Sequence, residues 1–285
     1  MKKNAGVMGF PIAHSLSPRL HGYWIKKYGL DADYLAREVR PENLKDTLHR
    51  LPQECLSEGS VFRGTNLTIP LKEAAMDIVD IVEEAAQKIG AVNTVVVNEE
   101  GQLIGRNTDG LGFQDSLAEH VDVKTFHDKT ALVLGAGGAA RAIVFACLMM
   151  GFRRIVLTNR TRQRAVDLVQ DMKSEKIDVI QWEQRAAFCK EADLLVNTTS
   201  LGMTGQNPLE MNLDGLKNGC VVTDIVYVPL ETDLLRQARE KGYRTVDGLG
   251  MLLHQAKAGF EAWFGIKPEV DAALRDYVLQ GLNKK

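Results

Sequence analysis

In the first half of the chain, the side chains able to do chemistry fall in four short polar clusters. These are Ser15-Leu16-Ser17-Pro18, Asn66-Leu67-Thr68-Ile69-Pro70-Leu71-Lys72, Asn93 after Gly90-Ala91-Val92, and Asn107-Thr108-Asp109-Gly110. Taken singly, most have ordinary explanations. Ser17 and Pro18 suit the cap and first position of a helix, Asn93 the polar start of a strand, and Asp109 an N-cap. Lys72 fits less well, because it would sit in the first turn of a helix, where the dipole disfavours a cation. Together the clusters suit a small polyhydroxylated carboxylate. Hydroxyls at Ser15 and Ser17 can bind a carboxylate, and Asn66, Thr68, Asn93, Asp109 and Gln255 can bind ring hydroxyls. Lys72 beside an acid is a natural proton carrier. Hydride reduction of a ketone leaves an alkoxide, and a positioned ammonium can protonate it.

A different chemistry is written in the second half. Gly135-Ala136-Gly137-Gly138-Ala139-Ala140 follows the apolar run at 131–134 and opens a helical run to Met150, so G-x-G-x-x-A stands in its strand-turn-helix context. Small residues let the backbone approach a pyrophosphate, and the free N–H groups of a helix start favour its charge. The next strand ends in Asn159-Arg160-Thr161-Arg162-Gln163-Arg164. A dinucleotide site for NAD commonly carries an acid there, for the ribose 2′-hydroxyl. Arginines instead grip a 2′-phosphate through charge-assisted, often bidentate hydrogen bonds, and point to NADP.

The elements that must hold these residues alternate along the chain. Strand-like runs at 5–9, 34–39, 62–68 and 93–97 alternate with helical runs at 18–28, 41–51 and 70–88, the last with a break. A turn at Glu99-Glu100-Gly101-Gln102 leads into 103–107, a hairpin expected to add antiparallel edge strands. After a polar segment at 122–129, β-rich runs at 131–134, 154–159, 177–181, 193–197 and 221–227 imply a parallel, doubly wound sheet with helices at 139–150 and 162–174. A last helix at 251–263 carries Gln255. A length of 285 residues suggests about two domains. The boundaries are expected at 1–110 for an α/β substrate domain with a mixed sheet, 111–248 for a Rossmann-type NADP domain, and 249–285 for C-terminal helices returning toward the substrate domain.

Composition narrows the functional classes. With 35 basic and 37 acidic residues the net charge is −2, which offers no bulk attraction to nucleic acid or anionic membrane. No apolar stretch approaches the roughly 20 residues that cross a bilayer, and the N-terminal apolar run ends too early for a signal peptide, so a cytosolic chain is expected. Cys55, Cys147, Cys189 and Cys220 have no paired spacing, and the six histidines form no zinc motif, so neither metal nor disulfide is expected.

These clusters, with Asn197-Thr198-Thr199-Ser200-Leu201-Gly202-Met203, Asp224-Ile225-Val226-Tyr227, and Asp247-Gly248 before Met251-Leu252-Leu253-His254-Gln255, resemble the shikimate dehydrogenase family, from near residue 6 to about 260. The resemblance implies reversible conversion of 3-dehydroshikimate plus NADPH into shikimate plus NADP, a step of aromatic amino-acid biosynthesis. It implies Lys72 as acid/base with Asp109 as its partner. Ser15, Ser17, Thr68, Asn93, Tyr227 and Gln255 would bind shikimate, with Asn66 nearby. The residues from Gly135 to Ala139 would hold the pyrophosphate, and Asn159, Arg160, Thr161 and Arg164 the 2′-phosphate side. Gly248, the Ile225 backbone and Met251 would border the nicotinamide, and Glu84 matches an acidic position near the cofactor. Partners would be small molecules only, and the assembly a monomer or homodimer. Two other readings compete: a quinate/shikimate dehydrogenase using quinate and/or NAD, and a non-catalytic NADP-sensing regulator. Ser15 with Ser17, and the arginine cluster, favour shikimate and NADP.

Overall fold

The computed structural model describes residues 1–282. The chain forms two compact units, one of Met1–Thr108 with Gln255–Lys285 and the other of Asp109–His254.

The first unit is a mixed six-stranded sheet flanked by helices. Along the chain it runs β1 (Lys2–Gly9), α1 (Ser17–Lys27), β2 (Ala32–Glu38), α2 (Leu44–Ser57), β3 (Ser60–Leu67), α3 (Leu71–Ala74), β4 (Ile81–Val82), α4 (Glu84–Ile89), β5 (Thr94–Val97) and β6 (Leu103–Arg106). The spatial order is β2-β1-β3-β5-β6-β4. Strands β2 and β3 pair with β1 in parallel, whereas β5 runs antiparallel to both β3 and β6. Helix α2 turns Leu44, Leu48, Leu51 and Cys55 inward at helical spacing, and they pack with Phe62, Leu67 and Val95 into one core cluster.

Three local expectations are corrected here. The β5–β6 hairpin is interior to the sheet, because Ile81 and Val82, inside the run read as helix at 70–88, pair in parallel with Ile104 and Gly105 and form the edge themselves. Ile81, Val82 and the preceding Val79 are β-branched, which favours a pleated surface over a helix. Helix α3 is a single turn, so Lys72 lies in its first and last turn at once. The dipole argument against a cation therefore loses its force. At α1 the N-cap is Leu16, with no side-chain cap, and the Ser17 amide donates to Ser15 Oγ at 3.3 Å, so Ser15 does the work assigned to Ser17.

The second unit is an all-parallel sheet wrapped by helices. It runs α5 (Asp109–Ala118), β7 (Thr130–Leu134), α6 (Gly138–Met149), β8 (Arg154–Thr158), α7 (Arg162–Met172), β9 (Ile177–Ile180), β10 (Leu194–Asn197), β11 (Val221–Asp224), α8 (Asp233–Glu240), β12 (Arg244–Val246) and α9 (Gly248–Phe264). From Gln255 onward, α9 belongs to the first unit, as does α10 (Ala272–Leu279). The strand order β12-β11-β10-β7-β8-β9 is doubly wound, reversing direction between β7 and β10. Strand β7 is buried throughout and β10 likewise, as helices on both faces require. Strand β11 stops at Asp224, short of the run expected to Tyr227. The Asp224 carboxylate accepts the Val226 amide at 3.0 Å and so turns the chain out of the ladder. Neither α8 nor β12 was anticipated.

Candidate functional site

In the first unit, the C-terminal ends of parallel strands and the N-terminal end of an antiparallel one meet at a single edge. Asn66 on β3 is in register with Thr94 on β5, and Thr94 with Arg106 on β6, so Asn66, Thr68, Asn93, Asn107 and Thr108 gather there. This is where open α/β sheets bind ligands. Asn93 is the hub. Its Oδ1 accepts the Thr108 amide at 2.9 Å and the Thr94 hydroxyl at 2.9 Å, and its Nδ2 donates to Thr108 Oγ1 at 3.0 Å and to Gln255 Oε1 at 3.4 Å. Gln255 Oε1 also accepts from Thr108 Oγ1 at 3.3 Å. Asn107 donates to the Ala91 carbonyl at 2.9 Å and pins the β6 end.

In the same unit, Ser17 is buried and Ser15, Thr68 and Lys72 are half-buried. The Leu71 amide donates to the Thr68 carbonyl at 2.8 Å and the Val92 amide to the Lys72 carbonyl at 2.8 Å, so the backbone of Lys72 is tied to the residue before Asn93. Asp109 is buried at the start of α5. Asn66 is 5% exposed, and both hydrogens of its amide are donated internally, to the Asn93 carbonyl and to Thr94 Oγ1. Thr94, Thr108 and Tyr34 were not singled out from the sequence. Thr94 and Thr108 stand within the family-like motifs, but Tyr34 has no local signal, since its partner lies 32 residues away.

The second unit presents a site made of backbone and exposed charge. Gly135 has φ +114°, and a Cβ there would lie 2.4 Å from Thr198 Oγ1, so the position requires glycine. Thr198 is fixed by its hydroxyl donating to the Leu134 carbonyl at 2.7 Å, and thus β10 meets β7 at the strand reversal. Gly137 caps α6 without a side chain, and a Cβ there would meet nothing within 4 Å. The open space and the unpaired N–H groups of the α6 start fit a pyrophosphate. After β8, Asn159 Nδ2 donates to the Thr161 carbonyl at 2.8 Å and shapes the turn. Arg160, Thr161, Arg162 and Arg164 are exposed. No ion pair engages these three arginines among the described residues, whereas Arg141, Arg154 and Arg236 are each held by carboxylates. Free guanidiniums at this turn fit a 2′-phosphate.

At the other side of the same sheet edge, Asp224 accepts from Asn197 Nδ2 at 3.0 Å and Thr232 Oγ1 at 2.8 Å, yet desolvation still pushes its carboxyl up to about 6. Gly248 is enclosed, and a Cβ on it would lie 2.3 Å from the Ile225 carbonyl oxygen. Ile225 and Tyr227 are half-buried and Met251 is buried. Desolvation raises the Tyr227 phenol above its ordinary value. Glu84 lies on the exposed face of α4, where it pairs with Lys88 at 2.7 Å, and that ammonium lowers its carboxyl pKa.

Three family models match the chain in order. They describe a shikimate dehydrogenase substrate-binding domain over residues 7–95, a shikimate/quinate 5-dehydrogenase domain over 116–226, and a shikimate 5′-dehydrogenase C-terminal domain over 248–275. The shikimate dehydrogenase (NADP(+)) of Paramagnetospirillum magneticum is 49% identical over 275 residues, covering 96% of this chain and 97% of its own. Among solved structures, the shikimate 5-dehydrogenase of Thermus thermophilus in complex with NADP(H) and shikimate superposes with a TM-score of 0.85 at 36% identity, covering 99% of this chain and 100% of that one. The quinate dehydrogenase of Corynebacterium glutamicum in complex with NAD gives a TM-score of 0.86 at 29% identity, covering 98% and 99%.

Proposed function

Because the chain belongs to the shikimate dehydrogenase family, we propose that it interconverts 3-dehydroshikimate and shikimate using NADPH and NADP. Bound reduced nicotinamide supplies the hydride. The chain's own part is to bind the ring, orient its carbonyl and deliver a proton. Ser15 and Ser17 hold the carboxylate, and Thr68, Asn93 and Gln255 hold the ring hydroxyls, with Asn66 behind them. Tyr227 borders the same substrate. Lys72 Nζ gives its proton to the forming alkoxide and takes it back in the oxidising direction, with Asp109 as its charged partner.

Gly135, Ala136, Gly137, Gly138 and Ala139 cradle the pyrophosphate, and Asn159, Arg160, Thr161 and Arg164 take the 2′-phosphate. Ile225, Gly248 and Met251 border the nicotinamide, and Glu84 lies beside the cofactor. The observation that carries this reading is the pairing of two chemistries in one chain: an Asn93-centred hydroxyl-reading cluster and an unpaired arginine turn after β8. The reaction belongs to aromatic biosynthesis, and we infer a cytosolic enzyme, either a monomer or a homodimer, which sedimentation velocity would distinguish.

The test is a four-way assay of shikimate and quinate against NADP and NAD, read by the near-ultraviolet absorbance of the reduced nicotinamide. Shikimate with NADP should give the highest kcat/KM. Equal or faster turnover of quinate with NAD would transfer the chain to the quinate branch, and no turnover in any arm would favour a cofactor-sensing protein.

A further inference from the structure

The Tyr34 phenol reaches a residue of the substrate pocket. It donates to Asn66 Oδ1 at 2.6 Å. Tyr34 is 6% exposed on β2, and its ring stacks face to face on His21 with centroids 3.9 Å apart and planes 6° apart. Burial raises the phenol well above its ordinary pKa, so it remains a neutral donor.

The donor and acceptor roles then follow in sequence. With Oδ1 of Asn66 occupied by the phenol proton, the Asn66 amide must present Nδ2 to the Asn93 carbonyl at 3.2 Å and to Thr94 Oγ1 at 3.0 Å. A flipped amide would set oxygen against that carbonyl oxygen. Thr94 Oγ1, having accepted from Asn66, has one hydrogen to donate and places it on Asn93 Oδ1 at 2.9 Å. Asn93 Oδ1 also accepts the Thr108 amide at 2.9 Å, and both bonds leave Nδ2 facing Thr108 Oγ1 and Gln255 Oε1.

We propose that Tyr34 is a positioning residue for substrate binding, which acts with the Asn93 carbonyl and the Thr108 amide to hold the side-chain amides of Asn66 and Asn93 in place through a hydrogen-bond relay, Tyr34 to Asn66 to Thr94 to Asn93. This rests on the reading of the Asn93 cluster as the shikimate pocket. The relay acts on binding rather than on proton transfer, because none of its members carries charge or offers a proton to the forming alkoxide. His21 contributes through its ring face, and its two nitrogens find no hydrogen-bond partner among the described residues.

The experiment compares wild type, Tyr34→Phe, Thr94→Val and the double variant by steady-state kinetics and thermal melting. Tyr34→Phe keeps the ring on His21 and removes only the hydroxyl. KM for shikimate should rise roughly 5- to 20-fold, as loss of a neutral hydrogen bond allows, with kcat within about threefold and KM for NADP unchanged. Thr94→Val should act in the same direction, and the double variant should match the worse single one, since either breaks the same relay. A shikimate KM that stays at the wild-type value while the melting temperature falls would assign Tyr34 to packing alone and overturn the inference. Effects that multiply in the double variant would also overturn it. Should Tyr34→Phe fail to fold, Thr94→Val decides by the same criteria. A wild-type protein that does not oxidise shikimate removes the functional reading and the relay's role together; a working wild type with unmoved variants removes only the relay.

Discussion

The two units offer the ligands proposed for them different parts of the polypeptide. In the first, the site is made of buried side chains that hydrogen-bond each other: Asn93, Thr108, Gln255, Thr94 and Asn66 form one network. In the second, the site is glycine backbone at Gly135 and Gly137, one helix start, and guanidiniums standing in solvent. The difference matches the ligands proposed for them. Ring hydroxyls are neutral and directional, so discriminating them needs fixed donors and acceptors in a low-dielectric setting. Phosphates are charged and tolerant of angle, and backbone N–H groups with mobile cations suffice. Mutations in the first unit's side-chain network should therefore act on substrate, and those in the glycine loop and arginine turn of the second on the cofactor.

The sharpest break is expected at Lys72. Lys72→Ala should lower kcat by roughly 10²- to 10⁴-fold, the range for loss of a general acid or base, with a smaller change in either KM. Because Lys72 is half-buried on a one-turn helix, the melting temperature should hardly move. A kcat within threefold of wild type would place proton transfer elsewhere. Next in size is the arginine turn. Arg160→Ala should raise KM for NADP about 10- to 100-fold and leave KM for NAD nearly unchanged, since only the former carries the 2′-phosphate. Equal losses for both cofactors would return the arginines to solvent.

The same contrast explains what could be read in advance. The cofactor unit was legible because its site is contiguous: Gly135 to Ala140 and Asn159 to Arg164 are short segments whose role follows from the strands before them. The substrate clusters were legible as groups of residue types, but their wiring was not. Tyr34 meets Asn66, and Asn93 meets Gln255, across separations of 32 and 162 residues. No local pattern announces such a contact. The edge strand Ile81–Val82 was missed for a related reason, since two residues gain strand character only by pairing with Ile104 and Gly105.

Gly135 and Gly137 separate fold from ligand within one loop. Gly135→Ala puts a methyl at φ +114° and 2.4 Å from Thr198 Oγ1, a strain of order 1–3 kcal/mol, which should lower the melting temperature by several degrees. Gly137 has φ −94° and ψ −174°, which any residue adopts, and open space beyond it. Gly137→Ala should melt close to wild type while raising KM for NADP several-fold. If both variants melt alike and bind NADP alike, the loop is not the pyrophosphate cradle.

A pH dependence sets the two units against each other. Burial among Trp24, Tyr34, Phe260 and Trp263 lowers the His21 pKa to about 3, far below its ordinary 6.5. Between those values the unfolded chain binds a proton that the folded chain refuses, so acid destabilises the fold by about 1.4 kcal/mol per pH unit. Asp224 has the reverse sign. Its folded pKa of about 6 lies above the ordinary 3.8, so its contribution is present below pH 3.8 and is lost as pH rises through 6. His21→Phe removes the first dependence and leaves the second. Its melting temperature relative to wild type should climb steadily as pH falls from 6.5 toward 4. Parallel melting curves for the two proteins across that range would mean that the imidazole is not buried as a neutral ring.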